Sequence, residues 1–599
     1  MCIRDRLGGG STPRLTNWQR RYLLNFMGYD LPETSNIADP ITTLPEKPAE
    51  PFSVMGGVIH STPQLMTYSA NLEEDGSLST TRDESLLFGS LEGALHVVNA
   101  SSGVEQMAFI PRQIIDNQAR ALRPDTNGLM SPDKLTVFPN PTALGVDAPW
   151  TAYAEYSRKA NKIQADFMYA YGGMRMGGNA FYGLDLTSRT SPKMLFNITP
   201  STSGFTRLGQ TWGKPIVTRI RYNNQTKLVV IISGGYDVDY EKTDKNRSEA
   251  TDVKGNAIYI IDAKTGARLL TIGKTGEGGE LTDDALKYSV VGRVKTLDRD
   301  SDGLTDHLYF ADLGGQVFRV DLQNAPNTTA ANFGTRVVRV ANLTDANGDD
   351  KPGPRFYEAP VVTIHDQGDK RFAVINVGAG DRSNPLYDEN NPNNRIYGIV
   401  DRDVTRADLY STSITMNSQN IELTALIEKP TSPAHKAAML SDGVDRKNGW
   451  YYPLESFGST KTGIKGLKAF NEGAAIRNDL YMAVYNPNIT NNGANKCSAQ
   501  VLGATELHRY CLPFGICDAP VGGGTAPDSV QRFKLGQGIQ AVNFGPGDNS
   551  QTRRLIYQQP TTAVVNQENN TAVRQHKEYS APPRLVPIRW YEKQPKITP

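Results

Sequence analysis

The residues best arranged for chemistry are those at 298–306, which read DRDSDGLTD. Asp298, Asp300 and Asp302 alternate, Gly303 follows and Asp306 closes the run. Three carboxylates this close repel one another unless a hard divalent cation holds them together. The spacing matches positions 1, 3, 5, 6 and 9 of an EF-hand loop. Gly303 permits the sharp turn, the Leu304 carbonyl stands where a backbone ligand belongs, and Asp306 binds directly or through water. Oxygen-only donors in this number favour Ca²⁺ over zinc. Position 12 is Tyr309 rather than a bidentate Glu, and the flanks VVGRVKTL and HLYFADL read as strands. The expected element is therefore an EF-hand-like calcium loop set in a β-hairpin, with a solvated acidic turn as the competing description.

Other candidates carry less. In DANGDDK at 345–351, Asp345, Asn347 and Asp349 alternate, but Asp350 replaces the glycine and no carboxylate follows at the ninth position. An Asx-rich surface turn fits it better than a second calcium site. The seven histidines are scattered and indicate no zinc site. His96, within LHVVN, reads as a packed strand residue. GxSxG and Walker-type sequences are absent, and the glycine pairs follow strands without a βαβ context. No Ser, His and Asp arrangement stands out, so the chain is not expected to be an enzyme. Of the four cysteines, Cys497, Cys511 and Cys517 cluster, while Cys2 lies apart. A disulfide within the cluster suits an oxidising compartment; buried or free thiols are the alternative, and the pairing stays open.

The elements that must position the acidic loop are short and numerous. The 55 Gly and 36 Pro punctuate apolar runs throughout, as in a loop-rich all-β protein. A net charge of +1 gives no electrostatic reason to expect nucleic acid or an anionic membrane as partner. No apolar stretch approaches the roughly 20 residues of a membrane-spanning helix, so no transmembrane segment is expected. Residues 1–14 read as a non-native or disordered leader without the apolar core of a secretion signal, which suggests a fragment whose upstream part is missing. Residues 15–50 read as a helix plus a Pro-rich linker. Leu15, Trp18, Tyr22 and Phe26 fall at helical spacing, Arg20 and Arg21 fall elsewhere on the wheel, and Gly28 ends the helix.

From residue 51 to 599 one shape recurs, a β-rich stretch ending in Asp or Asn and a turn. LHVVNASSGVEQMAF (95–109), FYGLDLTSRTSPKMLF (181–196) and IYIIDAKTGARLL (258–270) show it well. VFRVDLQNAP (317–326) and IYGIVDRDV (396–404) fit more loosely, and LHRYCLPFGI (507–516) is marginal. Each reads as a hairpin in which the Asp or Asn starts the turn and Gly103 or Gly266 supplies positive φ. A second strand type, as in SLLFGSLEG, LVVIISGGY, HLYFADLGG and FAVINVGAG, breaks at glycine, as expected where inner strands converge on a crowded axis. The simplest architecture is a modified β-propeller of about seven blades with long inter-strand insertions.

At this point the residues resemble the PilY family of type IV pilus tip-associated proteins. VMGGVIHSTPQL (54–65) is similar to the start of that family's C-terminal domain, and GALHVVNASSGVEQMAFIP (93–111) to its first blade. GGMRMGGNAFYGLDLT (172–187), the acidic loop with HLYFADLGGQVFRVDL (307–322), and RFYEAPVV (355–362) follow in order. NVGAGDRSNPL (376–386), RIYGIVDRD, GWYYPL (449–454) and a late IRWYE continue the series. The resemblance implies a modified propeller with one calcium loop, on a protein at the bacterial cell surface or pilus tip, reached through periplasm and outer membrane. It further implies that calcium occupancy tunes pilus extension against retraction, with adhesion to host or abiotic surfaces as the output and minor pilins or the pilus machinery as partners. Carried onto this chain, the Ca²⁺ ligands are Asp298, Asp300, Asp302, the Leu304 main chain and Asp306. Family members usually carry an upstream domain, often von Willebrand A-like, which these residues lack. Two alternatives stay open. Quinoprotein dehydrogenases share the propeller and the hairpin at IYIIDAKTG, but their blades carry a Trp after that turn, and this chain has only five Trp. A periplasmic propeller scaffold for pilus assembly would share the loop.

Overall fold

The computed structural model describes residues 15–29, 31, 40–43, 55–122, 144–241, 253–344, 353–386, 394–411, 413–454, 466–476, 478–489, 502–517, 531–541, 543–546, 552–556 and 576–580. The leader at 1–14, most of the Pro-rich linker, Cys2, Cys497, IRWYE and the 345–351 run lie outside them.

The described chain is built from antiparallel four-stranded meanders. β1 (Gln64–Leu72), β2 (Leu78–Gly89), β3 (Leu95–Asn99) and β4 (Glu105–Phe109) form the first. β5 (Thr151–Lys159), β6 (Lys162–Gly172), β7 (Phe181–Asp185) and β8 (Lys193–Ile198) form the second, joined to the first by a short pairing of β1 with β6. The third holds β9 (Ile216–Tyr222), β10 (Gln225–Ser233), β11 (Ala257–Asp262) and β12 (Arg268–Gly273), with β13 (Leu281–Thr282) added in parallel. β14 (Lys295–Leu297), β15 (His307–Ala311), β16 (Gln316–Leu322) and β17 (Gly334–Asn342) form the fourth. The fifth runs β18 (Val361–Gln367), β19 (Lys370–Gly378), β20 (Arg395–Asp401), with β21 (Ile427–Glu428) and β22 (Gly449–Pro453) completing it. In the sixth, β23 (Lys468–Ala469) and β24 (Ala474–Ile476) both pair with β25 (Asp479–Asn486), followed by β26 (Ala504–Cys511) and β27 (Gln531–Gln537). β28 (Asn543–Pro546), β29 (Thr552–Ile556) and β30 (His576–Ser580) make a three-stranded sheet.

The two middle strands of these sheets are apolar because both their faces are covered. β15 and β16 are buried at every residue, whereas the edge strand β1 alternates. The cores lie between successive sheets. Tyr171 and Phe196 of the second meet Val230 and Tyr259 of the third. Ile231 and Ile260 of the third meet Leu308 and Phe318 of the fourth, and Tyr309 and Val317 meet Ile375 and Tyr397 of the fifth. Val374 and Trp450 then meet Leu480 and Tyr510 of the sixth. Sheets stacked face to face in this way curl round a common axis, and contacts between non-neighbouring sheets record it. Lys214, leading into the third sheet, donates to Gln64 of the first, and Arg293, leading into the fourth, pairs with Glu472 of the sixth. The architecture is a mostly-β propeller.

Two hairpins follow the local turn chemistry. Asn99 accepts from the Ser101 and Ser102 amides ahead of Gly103, and Asp262 accepts from those of Lys264 and Thr265 ahead of Gly266. The segment at 396–404 departs from the expected hairpin: β20 pairs with β22, after a long insertion. Its Asp401 carboxylate is taken by Arg319 and Tyr309 of the fourth sheet rather than closing a turn alone. The glycine-ended runs are second strands; a Cβ on Gly234 after β10 would lie 2.3 Å from the Gly255 carbonyl oxygen ahead of β11 in the same sheet, while the run ending β19 is crowded by a neighbouring sheet. A Cβ on Gly378 at the end of β19 would lie 2.6 Å from the Ala469 Cβ of the sixth sheet.

Helix α1 (Asn17–Phe26) starts at Thr16, whose side chain forms a capping box with Gln19. Its Tyr22 and Leu23 enter the core between the first two sheets, with Leu15, Trp18 and Phe26 against it. Arg21, off that stripe in the sequence, is buried as well. Short helices α2 (Arg112–Asn117) and α3 (Pro433–Leu440) contribute Ile114 and Met439 to cores. Cys511 and Cys517 form a disulfide with a Cα–Cα distance of 5.2 Å.

Candidate metal centre

Residues 298–306 connect β14 to β15, whose antiparallel register sets Leu297 opposite His307 at the mouth of the loop. The flanks are thus strands, and the loop is a hairpin connection rather than a helix–loop–helix. Its path is fixed by its own carboxylates. Asp298 accepts from the Ser301 and Gly303 amides at 2.7 and 2.9 Å, and Asp300 from the Asp302 amide at 3.3 Å. Ser301 and Gly303 take φ of 65° and 87°, which bends the chain back on itself. That conformation is easy for Gly303 and strained for Ser301.

Carboxylate oxygens of Asp298, Asp300 and Asp306 lie within 4.8 Å of one another. Asp300 is exposed, Asp298 is half-buried and Asp306 is buried. Asp302 stands outside this group, its carboxylate accepting from the Leu304 amide at 2.8 Å. The Leu304 side chain is buried. The side-chain donors at the group are all carboxylate oxygens. Arg299, the cation within the loop, directs its guanidinium elsewhere, to the carbonyls of Val404 and Arg406 at 3.3 Å each. The donor set therefore fits a hard cation with oxygen ligands.

Three groups that the spacing of aspartates does not signal hold the loop in place. The Arg299 amide donates to Asp306 at 2.7 Å, crossing the loop. Asn324, just beyond β16, donates to both the Thr305 carbonyl and Asp306, at 2.7 and 2.9 Å. Thr305 reaches the third sheet, its amide donating to the Arg219 carbonyl and its hydroxyl meeting that of Thr218 at 2.7 Å. On the other side, the Arg299 guanidinium lies 5.7 Å from the Tyr410 ring, whose hydroxyl donates to the Leu322 carbonyl. The loop is thereby attached to the third and the fifth sheets as well as to its own.

Beneath it lies a buried ionic network. Arg319 on β16 donates to Asp321 at 2.8 Å and to both oxygens of Asp401 on β20, at 2.8 and 2.7 Å. His307 Nδ1 lies 2.9 Å from Asp321, and the Tyr309 hydroxyl donates to Asp401 at 3.0 Å. Burial opposes the charge on Asp321, but His307 and Arg319 outweigh it and hold the carboxyl below the usual range. His96 is a packed strand residue, as its setting in LHVVN suggests, stacked on Phe88 and bonded to Glu92 and Glu105.

These features define a class: a β-propeller with an acidic loop hung between three of its sheets. The family profile of the PilY1 beta-propeller domain matches residues 55–428, and the chain belongs to that family. The type IV pilus biogenesis factor PilY1 of Pseudomonas aeruginosa strain UCBPP-PA14 is 26% identical over 290 residues, which cover 45% of this chain and 21% of that protein. The PilY1 homologue of Xylella fastidiosa strain Temecula1 is 21% identical over 477 residues, covering 74% of this chain and 29% of that one. The chain thus spans less than a third of the length of these curated relatives. The crystal structure of the Pseudomonas aeruginosa PilY1 C-terminal domain superposes with a TM-score of 0.51 at 18% identity, over 80% of this chain and 91% of that one, and shares the fold.

Proposed function

We propose that this chain is the calcium-binding propeller of a type IV pilus-associated protein, a binding and regulatory module rather than an enzyme. The proposed ligands are Asp298, Asp300, Asp302, the Leu304 carbonyl and Asp306. The observation that carries the reading is the convergence of the Asp298, Asp300 and Asp306 carboxylates within 4.8 Å in a loop whose own arginine is engaged elsewhere. A bound Ca²⁺ supplies positive charge that cancels the mutual repulsion of these carboxylates. Asp306 presents one oxygen to the Arg299 amide and one to Asn324, so the ordered loop fixes Arg299 on the 404–406 carbonyls. Order in the loop is thus passed to the insertion of the fifth sheet, and we assign to that surface the regulation of pilus extension against retraction. Minor pilins or the pilus machinery are its proposed partners, with host or abiotic surfaces as the adhesion target and the pilus tip at the cell surface as its location. The related names, which are those of pilus biogenesis factors, support this reading.

Calorimetric titration of the chain with Ca²⁺ and with Mg²⁺, wild type beside Asp298→Asn, tests it. One Ca²⁺ site, lost or weakened at least tenfold in the variant, is the expected result. No Ca²⁺ binding by folded wild type overturns the metal reading, and normal twitching of cells carrying Asp298→Lys overturns the regulatory one.

A further inference from the structure

One buried cation of the propeller is poorly matched by its surroundings. Arg175 follows β6, and its side chain is buried. A guanidinium offers five N–H donors. Among the described residues the Arg175 side chain makes a single hydrogen bond, from Nη1 to Asp147 Oδ2 at 3.5 Å, the far limit for such a bond. Asp147, which precedes β5, is already committed elsewhere. Its Oδ1 accepts from the His60 amide at 2.8 Å, and its Oδ2 lies 2.5 Å from His60 Nδ1. Arg382 and Glu358, the other charged groups that act on Arg175, pair with each other. Burial, with Arg382 near it, pulls the Arg175 guanidinium down to about 10. Arg319 is buried as well, but each of its guanidinium nitrogens is bonded to a carboxylate.

The setting of Arg175 directs its charge without neutralising it. The Arg175 amide donates to the Thr211 carbonyl at 3.0 Å, and its φ of 54° is a left-handed conformation that costs energy in a residue with a Cβ. The guanidinium carbon then lies 4.1 Å from the centroid of the Trp212 ring. That ring is fixed in turn, its Nε1 donating to Gln210 at 3.0 Å and its centroid 4.7 Å from that of Tyr236. Trp212 thus holds the charge in place and leaves its N–H groups without acceptors. Since His60 Nδ1 and Arg175 Nη1 meet at the same Asp147 oxygen, the half-buried His60 stands within about 6 Å of the guanidinium. The chain neighbours Ile59 and Met176 are exposed. The under-bonded cation therefore lies close to the surface, beside apolar side chains.

We propose that Arg175 anchors a carboxylate-binding site, with Trp212 as its floor and the terminal carboxylate of a peptide ending in an apolar residue as its ligand. A carboxylate is the acceptor that matches the guanidinium fork with two parallel bonds. Ile59 and Met176 suit an apolar side chain next to it, and capture of a terminal carboxylate is a recurrent mode of peptide recognition. The site shares no residue with the acidic loop and does not depend on metal there.

Calorimetry of the chain at low ionic strength tests the site, with N-acetyl-leucine, N-acetyl-leucinamide and the α-amide of N-acetyl-aspartic acid as probes. N-acetyl-leucine should bind with one equivalent, and the uncharged leucinamide at least tenfold more weakly. Arg175→Lys keeps the charge but not the fork, so affinity for N-acetyl-leucine should fall at least tenfold. Lys193→Met, at an exposed position on β8, should bind as wild type does. The comparison of acid with amide needs wild type alone, so it stands even where a variant fails to fold. No binding of N-acetyl-leucine to folded wild type, equal affinity for acid and amide, or unchanged affinity in Arg175→Lys overturns the proposal. Tighter binding of the aspartic acid derivative, whose carboxylate is on the side chain, overturns the assignment to a chain terminus.

Discussion

Asp300 and Asp306 belong to the same carboxylate group but stand in opposite surroundings, and that separates metal binding from folding at single residues. Asp300 is exposed and accepts one amide bond at 3.3 Å. Asp306 is buried, and both its oxygens are engaged, by the Arg299 amide and by Asn324. Removing a buried acceptor strands its donors and costs about 1–3 kcal/mol, whereas an exposed one is replaced by water. Asp300→Ala and Asp306→Ala should each weaken Ca²⁺ binding at least tenfold. In chelator, only Asp306→Ala should shift the urea midpoint, by the equivalent of about 1–3 kcal/mol. Equal stability of the two variants without metal would show that the loop is not held as described. The grouping of Asp298, Asp300 and Asp306 was legible because these carboxylates and the Gly303 turn are local in sequence, whereas spacing alone did not show that Asp302 turns to the Leu304 amide. The positions of Arg299, Asn324 and Tyr410 were not legible, because their partners lie on other strands or in another sheet.

Among the elements, hairpins whose turns close on their own side chains could be read directly. Asn99 with Gly103 and Asp262 with Gly266 each carry the whole turn within a few residues. The strand at 395–401 could not be read in that way, since its partner β22 is set by an insertion whose Asp403 and Arg402 bonds are long-range. The turn between β2 and β3 shows a further case, in which a strand histidine carries charge. Burial alone would pull the His96 ring down, but its bonds to Glu105 and Glu92 outweigh burial and raise it to about 9. A histidine raised in the folded state contributes stability fully below its unfolded value of 6.5 and loses it as pH rises through about 9. Stability should therefore fall by about 3 kcal/mol between pH 6.5 and 9 from this group. His96→Gln should flatten that part of the profile. Urea midpoints measured across the range check it, and an unchanged slope in the variant would assign the dependence to other groups.

At the scale of the molecule, the sheets share cores, so an ionic network between two of them bears on the whole. Arg319 is fully buried and holds Asp321 of its own sheet and Asp401 of the next. Apolar cores with such a pair inside are strongly destabilised when one partner alone is removed, because a charge is left buried without its counter-ion. Arg319→Met leaves Asp401 in that state, while Asp321 keeps Arg336 and His307 beside it, and should cost about 3–5 kcal/mol. What distinguishes a propeller from a row of independent sheets is how that loss appears. Tyr309 and Val317 pack on Ile375 and Tyr397, while Leu308 and Phe318 of the same strands pack on Ile231 and Ile260. The fourth sheet thus cannot open towards the fifth without loosening the third. The variant should unfold in one transition at lower urea with an unchanged slope, followed in parallel by tryptophan fluorescence and far-ultraviolet circular dichroism. Two separated transitions would mean that the sheets fold as independent pairs. In that case the acidic loop, which is attached to three of them, could influence only its immediate neighbours.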